Sequence, residues 1–323
     1  MRRREFITLG VAAALSSSTA RAEQQKGMPH VIHLSPVDIP SQTVGIRNQL
    51  RELGYVEGRN IRLEFRNAAG KVDELPALAR SLVLEGDVDA IIAVSTPAAL
   101  AAFNASRTIP IVAFTAVDPV SSGLANSLAR PGGNVTGIAV FSEETSVKRV
   151  ELMREAVPRA VRLGTVATKV SSGAQSLLPV LDTGRKLGFS VEPITVDDPA
   201  DLAVSLRPEI LAKFDAFVFV PDLVLSGYMV EVIKLVNSSN KPAIFPSPDW
   251  VANGGLMSFG PDFSDAARHL LSQLDRVLKG AKPGELPFER PTKFDLRINL
   301  RTARAMGFEL PATILARADE VIE

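Results

Sequence analysis

Catalysis needs a nucleophile, an acid or base, or a metal, and few residues of this chain are spaced for any of these. The three histidines, His30, His33 and His269, are scattered and show no metal-ligand spacing. There is no cysteine, which excludes thiol chemistry, thiolate metal sites, disulfides and a lipid-anchored amino-terminal cysteine. No Gly-x-Ser-x-Gly elbow presents a serine, and no Gly-x-Gly-x-x-Gly or phosphate loop presents N–H groups to a nucleotide. The run Arg130-Pro131-Gly132-Gly133-Asn134 lacks the lysine of a phosphate loop and leads into a strand, so it reads as a turn. The carboxylate pairs Glu143-Glu144 and Asp197-Asp198 sit side by side in polar segments, the pattern of solvated surface. The chain reads as one that performs no reaction and calls for no cofactor.

Binding chemistry remains, and it gathers just after short apolar runs: Ser35, Ser95-Thr96, Thr115 to Asp118, Asp222 and Ser247 to Trp250. In open α/β sheets the ligand crevice lies beyond the carboxyl ends of the strands, where these residues would fall. Ser95-Thr96-Pro97 opens a helix whose amino-terminal N–H groups can hold a carboxylate. Asp118, Asp222 and Asp249 can accept hydrogen bonds from an ammonium or hydroxyl, or can cap turns and helices. Trp250, the only tryptophan, can stack on a ligand or pack in a core. The candidate ligand-binding set is therefore Ser35, Ser95, Thr96, Thr115, Asp118, Asp222, Ser247, Asp249 and Trp250.

The elements that must position these residues follow from the alternation of strand-like and helix-spaced segments, the form of a parallel sheet covered by helices. Strands are expected at 31–35, 61–66, 90–94, 111–115 and 136–140, with helices at 43–53, 75–84 and 97–104. A second series places strands at 161–167, 189–196, 216–220 and 243–245, with helices at 173–187, 199–212 and 226–238. A strand at 255–260, a helix at 264–278, a proline-rich stretch 282–291, a strand at 294–300 and a helical tail follow. These last pieces are too few for a third domain and are expected to complete both lobes. Residues 109–124 and 241–256 form a weak repeat, each running Pro, strand, Asp and Gly-Leu, with Asp118 and Asp249 one residue out of register.

A length of 323 residues suits two domains with a core each. Thirty-six basic residues against 36 acidic ones give no electrostatic footprint for nucleic acid. Residues 1–22 read as a signal peptide: a basic start, a short apolar run and Ala20-Arg21-Ala22, with cleavage expected after Ala22 and a periplasmic product. The apolar run is shorter than the roughly 20 residues a membrane span requires. Arg3-Arg4-x-Phe6-Ile7 resembles a twin-arginine signal; the alternative is a Sec signal with an accidental arginine pair. Removing the signal takes away four arginines and one glutamate and leaves a formal charge of −3.

Three segments carry a family resemblance. Leu128-Ala129-Arg130-Pro131-Gly132-Gly133-Asn134-Val135-Thr136-Gly137, Gly254-Gly255-Leu256-Met257-Ser258-Phe259-Gly260, and Pro291-Thr292-Lys293-Phe294-Asp295-Leu296 with Ile298-Asn299-Leu300 resemble the ABC transporter substrate-binding protein family that includes tryptophan- and phenylalanine-binding members. The resemblance implies a type I periplasmic-binding-protein fold, α/β, with two Rossmann-like lobes of parallel sheet joined by a three-strand hinge near Phe141, Phe259 and Pro291. The lobes would be 29–140 with about 260–290, and 141–259 with about 291–323. It also implies that Ser95, Thr96 and Thr115 meet the carboxylate end of an amino-acid-like ligand while Asp222 or Asp249 approaches from the second lobe. The implied partners are the small molecule itself and an inner-membrane ABC permease with its ATPase, the protein acting as a monomer without nucleic acid or membrane anchor. Two other readings stay open: a periplasmic ligand sensor for a membrane receptor, and an exported hydrolase.

Overall fold

The computed structural model describes residues 27–140, 142–168 and 173–323. Its first part alternates β1 (His30–Ser35), α1 (Pro40–Glu52), β2 (Arg62–Asn67), α2 (Leu75–Glu85), β3 (Ala90–Val94), α3 (Thr96–Ala105), β4 (Ile111–Thr115) and β5 (Val135–Ala139). All five strands are parallel, in the order β2-β1-β3-β4-β5. Strands covered on both faces need continuous apolar sequence, and Ala90–Ala93 and Val135–Ala139 are buried throughout. We call this sheet with its helices the first lobe.

The second sheet is built from α4 (Ser142–Ala156), β6 (Arg162–Thr168), α5 (Gly173–Lys186), β7 (Ser190–Val196), α6 (Leu202–Ser205), α7 (Pro208–Leu211), β8 (Ala216–Phe219), α8 (Leu223–Gly227), α9 (Met229–Asn237), β9 (Ala243–Phe245), α10 (Pro248–Ala252) and β10 (Met257–Pro261). After it come α11 (Phe263–Leu278), β11 (Phe294–Asn299), α12 (Leu300–Ala305), α13 (Ala312–Leu315) and β12 (Glu320–Ile322). The seven strands run β12-β11-β10-β9-β8-β6-β7.

This second sheet is mixed, where a parallel one is expected: β11 runs antiparallel to β10, with Pro261 opposite Phe294. The cause lies in α11. After β10 the chain leaves for the first lobe, where Ala266, Leu270, Leu271 and Leu274 of α11 pack with Val31, Ile92, Val112 and Ile138. Glu289 then lies along β5, its N–H donating to Gly137 O and its carbonyl accepting from Ala139, both at 2.9 Å. The chain re-enters the second sheet at the end where β10 left it, so β11 must run the opposite way.

Other departures are local. The helix expected at 199–212 is cut into pieces, because Arg207, preceding Pro208, takes an extended conformation (ψ 154°). The helix expected from 226 starts at Met229 and is preceded by the separate short α8. The tail ends in β12 instead of a helix, pairing in parallel with β11. Helix α4 is absent from the sequence reading because its segment is strongly polar and even its buried face holds Arg149. That guanidinium donates to Phe259 O at 2.9 Å and Ser146 Oγ at 2.7 Å, tying α4 to β10, and burial pushes its pKa down to about 9. Of the expected crossing points, Phe141 lies outside the described residues, as does the signal segment. Among the described residues no helix is long and apolar enough to cross a membrane.

Candidate ligand cleft

The carboxyl ends of both sheets face a cleft of about 730 Å³. On the first-lobe side it is walled by Ile39, Gly45, Ile46 and Gln49 at α1, by Val94 and Ser95 at the β3–α3 junction, and by Phe114 and Ala116 after β4. Helix α11 adds Phe263, Leu270 and Leu271. Phe263 meets Phe114 edge-on, with centroids 5.7 Å apart at 73°. The second lobe contributes Pro221 and Asp222 after β8, Ser226 to Glu231 along α8 and α9, and Pro246, Ser247, Asp249 and Asn253 around α10. The volume falls within the roughly 300–1,000 Å³ range of small-molecule sites, and mostly apolar walls with a few polar groups are their usual composition.

The structure brings four of the nine candidate residues to this cleft: Ser95, Asp222, Ser247 and Asp249. Ser95 occupies a left-handed conformation (φ 118°), and its Oγ accepts the Ala98 N–H at 3.2 Å, capping α3. Asp222 spends both oxygens internally. One accepts the Thr168 N–H and hydroxyl, each at 2.7 Å, and the other accepts the Val224 and Leu225 N–H groups, so this carboxylate fastens α8 to the end of β6. Ser247 is only 2% exposed, and its hydroxyl makes no capping bond to α10. Asp249 opens to the cleft, and no described side chain bonds or pairs with its carboxylate. The desolvating walls raise its pKa, Asp262 adds to the rise, and Arg297 opposes it.

The other five candidates serve the scaffold. Ser35 donates to Val37 O at 2.7 Å. Thr96 Oγ1 accepts the N–H groups of Ala116 and Val117 at 3.2 and 3.3 Å, bracing the β4 loop against α3. Thr115 is fully buried and points to Ile138 O. Asp118 accepts the Val120 N–H at 3.0 Å and caps a turn, which separates it from Asp249 despite their matching place in the repeat. Trp250 is core: 1% exposed, it stacks on Phe245 at 4.9 Å and 11° and leans on Phe219. The side-chain oxygens of Ser95 and Thr96 both accept backbone N–H groups. Within the first turn Pro97 has no N–H and Ala98 is capped.

Sequence reasoning missed Phe114, Phe263, Tyr228 and Glu231. Glu231 carried a readable signal, being the one acid in the apolar run 229–233. The aromatic pair carried none, since Phe263 enters the site from a helix that returns across the lobes. Two of the three histidines are held by neighbours: His30 contacts Asp87 O and Glu64, and His269 contacts Glu289. Among the described residues no group of three His, Asp or Glu side chains could hold a metal ion.

The sequence pattern of the family described as ABC transporter substrate binding protein matches residues 35–322. The chain is 29% identical over 270 residues to a tyrosine-binding protein of Clostridioides difficile (strain R20291), covering 82% of this chain and 76% of that protein. A conserved domain protein of Vibrio cholerae O1 biovar El Tor superposes with a TM-score of 0.81 at 27% identity, over 91% of this chain and 100% of that one. An ABC domain from Streptococcus pneumonia, solved in complex with L-Trp, gives 0.79 at 26% identity, over 92% and 100%. The two-sheet α/β architecture is the one these structures share.

Proposed function

This chain belongs to the ABC transporter substrate binding protein family, and from that premise we propose that it is the solute-binding component of an importer. It is exported to the periplasm, its signal cleaved after Ala22. There it encloses one small molecule, an amino acid or an aromatic carboxylate, and delivers it as a monomer to an inner-membrane permease driven by a cytoplasmic ATPase. It carries out no reaction. The observation that carries this reading is the cleft of about 730 Å³ at the carboxyl ends of both sheets, with apolar walls and isolated polar groups.

The mechanism is hinge closure. Residues 29–140 with 260–290 form one lobe and 141–259 with 291–323 the other, and the ligand touches both only when they are shut. Its differential affinity shifts the population from open to closed, and the permease reads the closed pair. Ser95, Ser247 and Asp249 are the polar contacts, while Asp222 holds α8 in place. The binding of tyrosine and of L-Trp by the relatives named above supports an amino-acid-sized ligand.

The test is a thermal-shift screen of the purified protein against amino acids, aromatic acids, aromatic amines, ureas and sugars. A ligand at 100 times its Kd adds about 2.7 kcal/mol of stability. Stabilisation by one chemical class is the expected result, and product formation from a hit, detected by mass spectrometry, would overturn the binding role.

A further inference from the structure

Helix α1 forms part of the first-lobe wall of the cleft, and its middle carries no side chain. Gln42, Gly45, Ile46 and Gln49 all line the cleft, at the three- and four-residue spacing that puts them on one helix face. Glycine inside a helix is unfavourable, because it surrenders more conformational freedom on folding than any other residue. A helix keeps one where the backbone needs a left-handed angle, where a neighbour comes too close for a β-carbon, or where the space itself is used.

The first two reasons do not hold at Gly45. It lies in the interior of Pro40–Glu52 without a positive φ, and a β-carbon built on it would meet nothing within 4 Å. Gly184, inside α5, shows the contrast: a β-carbon there would fall 2.2 Å from Val191 Cγ2, so the packing of α5 on β7 calls for glycine. The wall at Gly45 is also held in place. Gln49 Nε2 donates to Ser264 O at 3.3 Å and the Tyr55 hydroxyl donates to Asp275 at 2.9 Å, tying α1 and the turn after it to α11. Ile46 and Leu50 pack in one cluster with Leu270 and Leu271 of α11. With the helix anchored beneath it, a side chain added at Gly45 takes its space from the cleft.

We propose that Gly45 is a specificity-determining residue that sets the largest solute the cleft encloses, the bulkiest part of the ligand lying over the bare backbone of α1 between Gln42 and Gln49. The inference rests on the solute-binding reading and deepens it, assigning the upper size limit to one position whatever the chemical class of the solute. The second lobe brings Tyr228 and Val230, 37% and 65% exposed, to the same cleft, so bulk held over Gly45 gains apolar contact when the lobes shut. A side chain at position 45 acts by clash, which rejects a large solute and leaves a small one untouched.

Titration calorimetry on the full-length parent, Gly45→Ala and Gly45→Leu tests it, with L-alanine, L-leucine, L-tryptophan and the hits of the wider screen. For the largest compound the parent binds, Gly45→Leu is expected to lose at least about tenfold in affinity and Gly45→Ala less, while smaller compounds bind within about threefold of the parent. Both variants are expected to melt at or above the parent, since alanine and leucine favour a helix over glycine. Parental affinity of Gly45→Leu for the largest compound overturns the inference and leaves the solute-binding role intact. So does an equal loss for large and small compounds, which would assign Gly45 to lobe closure. Where a single compound binds, small-angle scattering at saturation decides: the liganded variant must contract as the parent does, and one that stays open overturns the inference. Melting of Gly45→Ala below the parent overturns it as well, by showing that the fold requires the glycine. If no compound in the wider screen binds the parent, the solute-binding reading falls and this one with it.

Discussion

Gly227, at the end of α8 in the second lobe, faces Val37 in the first: a β-carbon added to Gly227 would lie 3.5 Å from Val37 Cγ2 and 4.0 Å from Asp38 O. One turn earlier Val224, 2% exposed, joins the apolar cluster of Ile32, Leu34 and Val37. The lobes thus touch directly, beside the cleft. Gly227→Ala fits at ordinary contact distance and should bind ligand like the parent. Gly227→Trp must push the lobes apart, so affinity should fall at least tenfold, or about 1.4 kcal/mol, and the radius of gyration from small-angle scattering should rise. A Gly227→Trp variant with parental affinity and size would show that this contact does not govern closure.

Ser95 combines strain with a useful cap. A non-glycine residue at φ 118° costs on the order of 1–3 kcal/mol, offset in part by the hydrogen bond to Ala98. Ser95→Gly releases the strain and, as an N-cap, loses only a few tenths of a kcal/mol, so its denaturation midpoint should match or exceed the parent's. Ser95→Ala keeps the strain and loses the cap, and should be less stable by about 1 kcal/mol. Urea unfolding of the two variants side by side decides the matter; equal midpoints would mean that the strain is negligible.

His33 makes stability depend on pH. Its ring is buried beside Phe65, centroids 5.0 Å apart, and Nε2 has no partner. Desolvation lowers its pKa from 6.5 to about 4, against the raising effects of its backbone hydrogen bond and of Asp38. Because the folded state resists protonation, the unfolded chain gains protons first as pH falls. Stability from this group is therefore level above pH 6.5 and is lost progressively between pH 6.5 and 4, by at most about 3 kcal/mol. His33→Phe should flatten that part of the stability profile, measured by unfolding at a series of pH values. An unchanged slope would assign the acid sensitivity to other groups.

Trp250 reports on the core, not on the ligand. With 1% exposure and Phe245 stacked on it, its emission should be blue-shifted and poorly quenched by acrylamide in both free and liganded protein. Trp250→Ala should cost about 3–5 kcal/mol of stability. Efficient acrylamide quenching in the native protein would place the ring at the surface instead.

The site shows where reading by sequence stops. Ser247 and Asp249 follow β9 directly, so the rule that ligands sit beyond strand ends finds them. The same rule also selects Thr96, Thr115 and Asp118, whose side chains are spent on neighbouring backbone groups. Residue type gives an oxygen its capacity to accept or donate. Whether a backbone N–H from another element has already taken that capacity is a matter of distances across the fold.

By itself the sequence determined the α/β class, most of the strands, the cap of α3 and the absence of recognisable catalytic motifs, because these depend on local periodicity and on residue types a few positions apart. The tertiary structure decided what depends on distant segments meeting. It reversed β11, because α11 carries the chain to the first lobe and back to the same end of the second sheet. It sent Trp250 into the core, brought Phe263 beside Phe114 from 149 positions away, and set Asp249 and Ser247 on a shared wall. A hydrogen bond or a packing contact acts over a few ångströms of space, and only the closed course of the backbone sets which residues come that near.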